Sequence, residues 1–115
     1  MMNMSEKESL DRRTNASVEA LKSPRVRWVK GRVQTQVEID EKKYKQAVDF
    51  IVEEEIERHM ITGAIKEKGP LTIEEISQST NLEPARIMQH IIALRKKGSI
   101  SESGERNHQY IYQLS

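Results

Sequence analysis

The 115-residue sequence contains no cysteine. Disulfide bonds and thiolate metal sites are therefore excluded, and the composition fits a reducing compartment. The longest apolar runs cover only a few residues, far fewer than the roughly 20 that a transmembrane helix needs. The N-terminus MMNMSEKESLDRR also lacks the apolar core of a secretory signal. We therefore expect a cytoplasmic protein with no membrane span.

Aromatic residues are scarce, at 4% of the chain, whereas 32% of the residues are charged. The length suggests one small domain with a compact core. Residues 1–40 hold eight Lys/Arg and six Asp/Glu, which gives +2, whereas residues 41–115 hold eleven and twelve, which gives −1. The segment KSPRVRWVKGR, residues 22–32, carries five basic residues and no acidic one. The pattern predicts a nearly neutral domain preceded by a basic arm, which bears on nucleic-acid binding because neutralised phosphates supply most non-specific affinity.

Motifs for catalysis and metal binding are missing. The histidines His59, His90 and His108 are widely spaced, and no His-Glu-x-x-His sequence occurs. The segment GAIKEKGP lacks the Gly-Lys-Ser/Thr ending of a phosphate-binding loop. The carboxylates of EEEIER, residues 53–58, fall on a polar helix face. We therefore expect no enzymatic activity, no cofactor and no metal site.

The first 40 residues show little helical periodicity. Residues 1–21 are polar with no clear apolar repeat, which predicts disorder. Further on, apolar and β-branched residues alternate with polar ones, as in a half-buried strand: Val33, Thr35, Val37 and Ile39. We predict a flexible basic arm over 1–40 with a strand or hairpin at 25–39. Because an isolated hairpin is only marginally stable, it must dock on the domain, on a second copy or on a partner.

A long helical pattern covers residues 41–68. Apolar residues recur at every fourth position: Tyr44, Val48, Val52, Ile56, Met60 and Ala64. Gly69-Pro70 ends the helix. Because the helix is long and contains Gly63 and a polar patch, we expect two parts, an added helix at 41–52 and a domain helix at 53–68.

The last third of the chain predicts two short helices and a hairpin. Thr72 and Glu75 have capping-box spacing, which predicts a helix from Ile73 to about Thr80. Asn81-Leu82 suits a turn, and Pro84 suits the first position of a second helix that ends at Gly98. Residues 99–114 predict a β-hairpin with a polar tip at 103–108.

This order of elements is that of a winged helix-turn-helix domain. The segment GPLTIEEISQSTNLEPARIMQHIIALRKKGSI resembles the core of bacterial and archaeal winged-helix regulators, such as the arsenic-repressor-like and multiple-antibiotic-resistance-regulator-like families. The resemblance covers about residues 53–115 and is carried by four motifs: Thr72 to Ile76, Asn81-Leu82, Leu94 to Ile100, and Tyr112-Gln113-Leu114. It implies a mostly α fold with a small β-hairpin, in which a three-helix core and a wing follow the extra helix and the arm.

The resemblance also implies a DNA-contacting surface, because the second helix of such a pair enters the major groove. With Ile87, Ile91 and Leu94 facing the core, the outward positions are Arg86, Gln89, His90, Lys96 and Lys97. Arg86 suits guanine, Gln89 suits adenine, and His90 suits a base or a phosphate. The expected phosphate or minor-groove contacts are Arg106, Asn107 and His108 on the wing, and Arg25, Arg27, Lys30 and Arg32 on the arm.

Two functions follow. The first is a DNA-binding transcriptional regulator that contacts double-stranded DNA and forms a homodimer through helix 41–52. The alternative is a non-catalytic protein-interaction subunit that docks on a larger complex through residues 22–39, since a fold does not fix a function. Glu83 at the start of the second helix, Glu74 and Glu75 at the start of the first, and the neutral domain favour the alternative.

Overall fold

The computed structural model describes residues 3–34 and 41–115. These residues form five helices and one two-stranded antiparallel sheet. The elements are α1 Met4–Leu21, α2 Pro24–Gln34, α3 Glu41–Lys68, α4 Ile73–Thr80, α5 Pro84–Lys97, β1 Ile100–Arg106 and β2 Gln109–Leu114. The predicted mostly helical fold with a small hairpin is confirmed at this level. Within the described ranges, none of the helices combines the length and apolar character needed to cross a membrane.

The α4–α5 pair has the predicted bounds. The Thr72 hydroxyl accepts from the Glu75 backbone N–H at 3.1 Å, and the Glu75 carboxylate accepts from the Thr72 backbone N–H at 2.9 Å, so the capping box is confirmed. Asn81 ends α4 in the left-handed conformation with φ 61°, which asparagine tolerates better than most residues. Gly98, with φ 82°, ends α5.

One apolar core joins α3, α4, α5 and the hairpin. It contains the buried side chains Ile61, Ala64, Ile65, Leu71, Ile76, Ile87, Ile91, Leu94, Ile100 and Tyr112, with Ile73 and Leu82 packed against it. Backbone hydrogen bonds in both directions between Leu71 and Tyr112 tie β2 to the link before α4. The predicted core-facing side of α5 is therefore confirmed, and Leu82 and Ile100 meet it in the same core.

The strands of the hairpin are longer, and its turn is shorter, than predicted. Its strands pair from Ile100 opposite Leu114 to Arg106 opposite Gln109, with a bulge between Glu102 and Gly104. The turn is only Asn107-His108, and both residues have positive φ, 53° and 64°. Two left-handed residues suit the right-handed twist of a two-residue hairpin. The polar tip predicted at 103–108 is thus mostly strand.

α3 is one continuous helix of 28 residues, so the predicted division near residue 52 is wrong. Gly63 does not break it but faces α1, where an added Cβ would lie 3.9 Å from Arg12 Nη1. The polar patch marks a contact and not a bend, because Glu53, Glu54 and Glu55 bind arginines of the preceding helices.

The disorder predicted for residues 1–21 is wrong over α1. The buried face of this helix consists of Arg12, Ala16 and Ala20, and it packs against Ile56 and Met60 of α3. Two alanines and an arginine give almost no apolar period, so the pattern does not reveal the helix. Its stability comes from tertiary packing and not from its own composition.

The strand or hairpin predicted at 25–39 is wrong over residues 25–34, which belong to α2, and residues 35–39 lie outside the described residues. The Ser23 hydroxyl accepts from the Arg25 backbone N–H at 3.2 Å, and Pro24 takes the first helical position. Serine followed by proline is a common helix start. Val26 is then fully buried.

Candidate nucleic-acid interface

The outer face of α5 is open to solvent. Once Ile87, Ile91 and Leu94 are buried, the exposed residues of this helix are Pro84, Ala85, Met88, Gln89, Ile92, Arg95, Lys96 and Lys97. In the described part of the chain, α1 packs on α3, α4 and α2, and α2 packs on α3 and α1, but neither contacts α5. The additional N-terminal helices therefore leave this face uncovered.

Arg86 lies on this face but is already paired. Its Nε donates to the two carboxylate oxygens of Glu57 at 2.5 and 3.3 Å, and its side chain is 37% exposed. Burial raises the pKa of the Glu57 carboxyl, but hydrogen bonds from Arg86 and His90 outweigh burial and hold that pKa below its ordinary value. The same pair raises the pKa of Arg86. The positive charge at this position is therefore largely neutralised by the chain itself.

His90 does not face outward, so the outward position predicted for it is wrong. Its residue exposure is 3%, and its Nε2 lies 3.0 Å from a Glu57 oxygen. Arg58 Nε donates to the other ring nitrogen, Nδ1, at 3.3 Å. The ring proton consequently lies on Nε2 and donates to Glu57. The position three residues after Ile87 and four before Leu94 places His90 at the edge of the buried face, where α3 covers it.

The hairpin tip lies beside the first turn of α4. Arg106 Nη1 donates to both Glu75 oxygens at 2.6 and 2.7 Å, and the Gln109 amide donates to Glu74 at 3.3 Å. The backbone N–H of Thr72 lowers the pKa of Glu75 most, and Arg106 adds to this against the opposing effect of burial. Asn107 and His108 remain exposed. The tip is therefore polar, and its arginine is paired.

The last turn of α5 carries uncompensated positive charge. Arg95 binds Glu102 of β1 at 3.0 Å. Lys96 and Lys97 are exposed and form no ion pair with any residue of 3–34 or 41–115. Among the outward positions predicted on α5, Lys96 and Lys97 therefore keep their charge available for an external partner.

The predicted arm residues lie on α2. Arg25 Nη1 binds Glu54 at 3.0 Å and Glu55 at 3.1 Å, so this arginine stabilises the packing of α2 on α3. Arg27 is exposed and Lys30 is half-exposed, while the side chain of Arg32 lies outside the described residues. Nucleic-acid contact by Arg27, Lys30 and Arg32 stays a prediction.

Glu57 and Arg58 are functional-site residues that were not predicted from the sequence. The sequence does indicate that Glu57 is buried, because it precedes the buried Met60, Ile61 and Ala64 by three, four and seven residues on the same helix. A carboxylate on the buried stripe of a helix needs a partner, since burying an unpaired charge is costly. Arg86 and His90 are those partners.

Among the residues that the structure describes, there is no group of three or more His, Asp or Glu side chains that could hold a metal ion. An open groove of about 1010 Å³ runs between α1 and α3, with Lys7, Asp11, His59 and Lys66 among its lining residues. Comparisons with protein-family models, curated proteins and solved structures gave no match. The resemblance to winged-helix regulators therefore rests on motifs and element order.

Proposed function

We propose that this chain is a winged helix-turn-helix protein that binds double-stranded DNA and regulates transcription without catalysing a reaction. The observation that carries the proposal is the uncovered outer face of α5, although two additional helices pack on the same domain. If this face packed against another part of the same chain, its side chains would be buried. Its exposure supports a role toward an external partner.

In this proposal α5 lies in the major groove with its N-terminal half against base edges. Gln89 is exposed and suits adenine, and Arg86 suits guanine. Lys96 and Lys97, at the other end of α5, contact backbone phosphates. Arg106, Asn107 and His108 approach the phosphates or the minor groove from the hairpin tip.

The intramolecular ion pairs limit the salt-dependent part of the expected DNA affinity. The arginines Arg86, Arg95 and Arg106 all have carboxylate partners in the free protein. A paired arginine releases few counterions when it meets a phosphate, so the salt-dependent part of the affinity is small. Sequence preference then comes mainly from base contacts and only secondarily from charge.

A homodimer through residues 41–52 belongs to the same proposal. α2 packs on α3, yet Tyr44, Val48 and Ile51 stay half-buried and Phe50 is 58% exposed. A second copy packed on this region would bury these side chains and present two sets of DNA-contacting residues to two half-sites.

Sedimentation equilibrium, which measures the mass of the species in solution, tests the proposed dimer. Phe50→Glu is expected to shift the protein to monomer, whereas Val18→Glu, at a similarly exposed position of α1 (52%), is not. A wild-type monomer at all concentrations would contradict it.

The experiment for the DNA-binding proposal is selection from a pool of random-sequence duplexes, followed by titration of the selected duplex. Gln89→Ala is expected to relax the preference at one base pair, because it removes a base contact. Lys96→Ala is expected to weaken binding to all duplexes alike, because it removes a phosphate contact. Failure of the wild-type protein to enrich any sequence, together with no binding to the pool at low salt, would refute the proposal.

The second candidate is a protein-interaction subunit. It is favoured by Met88 and Ile92, which are 41% and 49% exposed and lie one turn apart on the open face of α5. Exposed apolar side chains suit a protein surface better than phosphate. Purification from nuclease-treated native lysate distinguishes the candidates. One stoichiometric protein, retained by the wild type and lost from Ile92→Glu, would support this second function over DNA binding.

A further inference from the structure

The contact between Glu57 and Arg86 uses only one part of the guanidinium group. Both hydrogen bonds to the carboxylate come from Nε. Neither Nη group donates to any side chain or carbonyl in the described ranges. Because the side chain is 37% exposed, the edge that carries the two Nη groups is available to an external partner.

The available edge matches one kind of acceptor closely. Guanine presents two acceptors, O6 and N7, in the major groove, and a guanidinium can meet both with two parallel N–H donors. Since Nε is occupied, the two Nη groups remain as this donor pair. Resting on the DNA-binding function proposed above, we propose that Glu57 is a positioning residue that presents the Nη edge of Arg86 to guanine and thereby sets base preference.

Glu57 is itself held in place. It is 7% exposed, and the Nε2–H of the buried His90 donates to it at 3.0 Å. Arg58 fixes the His90 ring by donating to Nδ1 at 3.3 Å and binds Glu54 at 2.9 Å. A base-contacting side chain that is held by buried neighbours loses less conformational entropy on binding. The network therefore orients Arg86 before DNA arrives.

The same pair disfavours phosphate as the partner of Arg86. A phosphate is attracted mainly by net positive charge, and the adjacent Glu57 carboxylate neutralises that of Arg86 and repels the phosphate oxygens. A guanine edge carries no net charge and responds to the direction of the donors. Neutralisation combined with two oriented donors thus favours a base edge over the DNA backbone.

The test compares Glu57→Gln with Glu53→Gln, using a random-sequence duplex pool and the duplex that the wild type selects. Glu53 lies one turn earlier on α3 and pairs with Arg13, so its substitution removes the same charge without touching Arg86. The wild type is expected to prefer guanine at one position by on the order of tenfold. Glu57→Gln is expected to reduce that preference to about twofold or less while binding the pool at least as well as the wild type. Glu53→Gln is expected to keep the preference.

A third variant keeps the test decisive if Glu57→Gln does not fold. Arg86→Lys retains the surface charge but lacks the planar pair of donors, so it is expected to lose the guanine preference with an unchanged salt dependence. Full guanine preference in Arg86→Lys or in folded Glu57→Gln would overturn the inference and leave the proposed function standing. An equal loss of affinity for every sequence would assign Arg86 to phosphate and also overturn it. If the wild type did not bind the pool at all, that result would contradict both the proposed function and this inference.

Discussion

Arg12 of α1 and Ser79 of α4 are both buried, and Arg12 Nε donates to the Ser79 hydroxyl oxygen at 2.8 Å. On the same side of α1, the hydroxyls of Ser5 and Ser9 donate to the backbone carbonyls of Gln78 and Thr80 at 3.0 and 2.8 Å. The last carbonyls of a helix have no partner within the helix. α1 supplies those partners for α4 and is therefore an integral part of the domain.

Substitution of Arg12 is expected to lower stability much more than substitution of its neighbour. Arg12→Ala removes the buried hydrogen bond to Ser79 and the ion pairs with Glu8 and Glu67 and should reduce the free energy of unfolding by about 1–3 kcal/mol. Arg13→Ala is the matched control, because Arg13 forms a half-exposed ion pair with Glu53 that contributes at most about 1 kcal/mol. Urea denaturation measures both. Equal effects would contradict the buried role of Arg12.

Glu8 is expected to make stability depend on pH in the acid range. The hydrogen bond from Lys68 contributes most to lowering the Glu8 pKa from 4.5 to about 2, with further contributions from Arg12 and Ser79 against the effect of burial. Because the folded-state pKa lies below the ordinary value, the contribution is present above about pH 4.5 and is lost as the pH falls toward 2. Unfolding free energies measured between pH 6 and pH 2 should fall less steeply in Glu8→Gln than in the wild type.

A Lys68→Met background provides the control for this pH effect. With the strongest partner of Glu8 removed, the additional Glu8→Gln substitution is expected to alter the pH profile much less than it does in the wild type. Parallel profiles of Glu8→Gln and wild type across this range would show that the ion pair does not shift the titration of this carboxyl.

The capping box gives a prediction for α4. Thr72→Ala removes the hydroxyl that accepts from the Glu75 backbone N–H and should cost about 1 kcal/mol, within the usual range of about 0.5–2 for an N-cap. Thr72→Ser keeps the hydroxyl and is expected to cost less. Thermal and chemical unfolding of the two variants check this. A serine variant as unstable as the alanine variant would assign the effect to the buried methyl group.

The helices of the C-terminal half were predictable because their boundary residues act locally. Thr72 with Glu75, Pro84 and Gly98 each specify a helix end through their own backbone and neighbours, and the structure has those ends where expected. The repeat of Ile87, Ile91 and Leu94 likewise fixes the buried face of α5 without reference to other elements. The residues at the helix ends and the apolar spacing were therefore sufficient to predict α4 and α5.

The N-terminal helices were not predictable in the same way, because their stability depends on distant partners. α1 buries alanines and an arginine whose contacts lie about 40 to 70 residues away in the chain, on α3 and α4. His90 was misplaced for a related reason. Its spacing from Ile87 and Leu94 places it only at the edge of the buried face of α5. Glu57 and Arg58 of α3 contact its ring there, and the pattern of α5 does not reveal them.

Equilibrium affinity for double-stranded DNA, measured between 50 and 300 mM salt, tests the central claim most directly. With Lys96 and Lys97 as the uncompensated cations of α5, log affinity should fall against log salt with a shallow slope of about −2 to −4 per chain, at roughly 0.9 per neutralised phosphate. Lys96→Ala should reduce the magnitude of that slope by about one. Salt-independent binding, or no binding at the lowest salt, would contradict a role in DNA recognition.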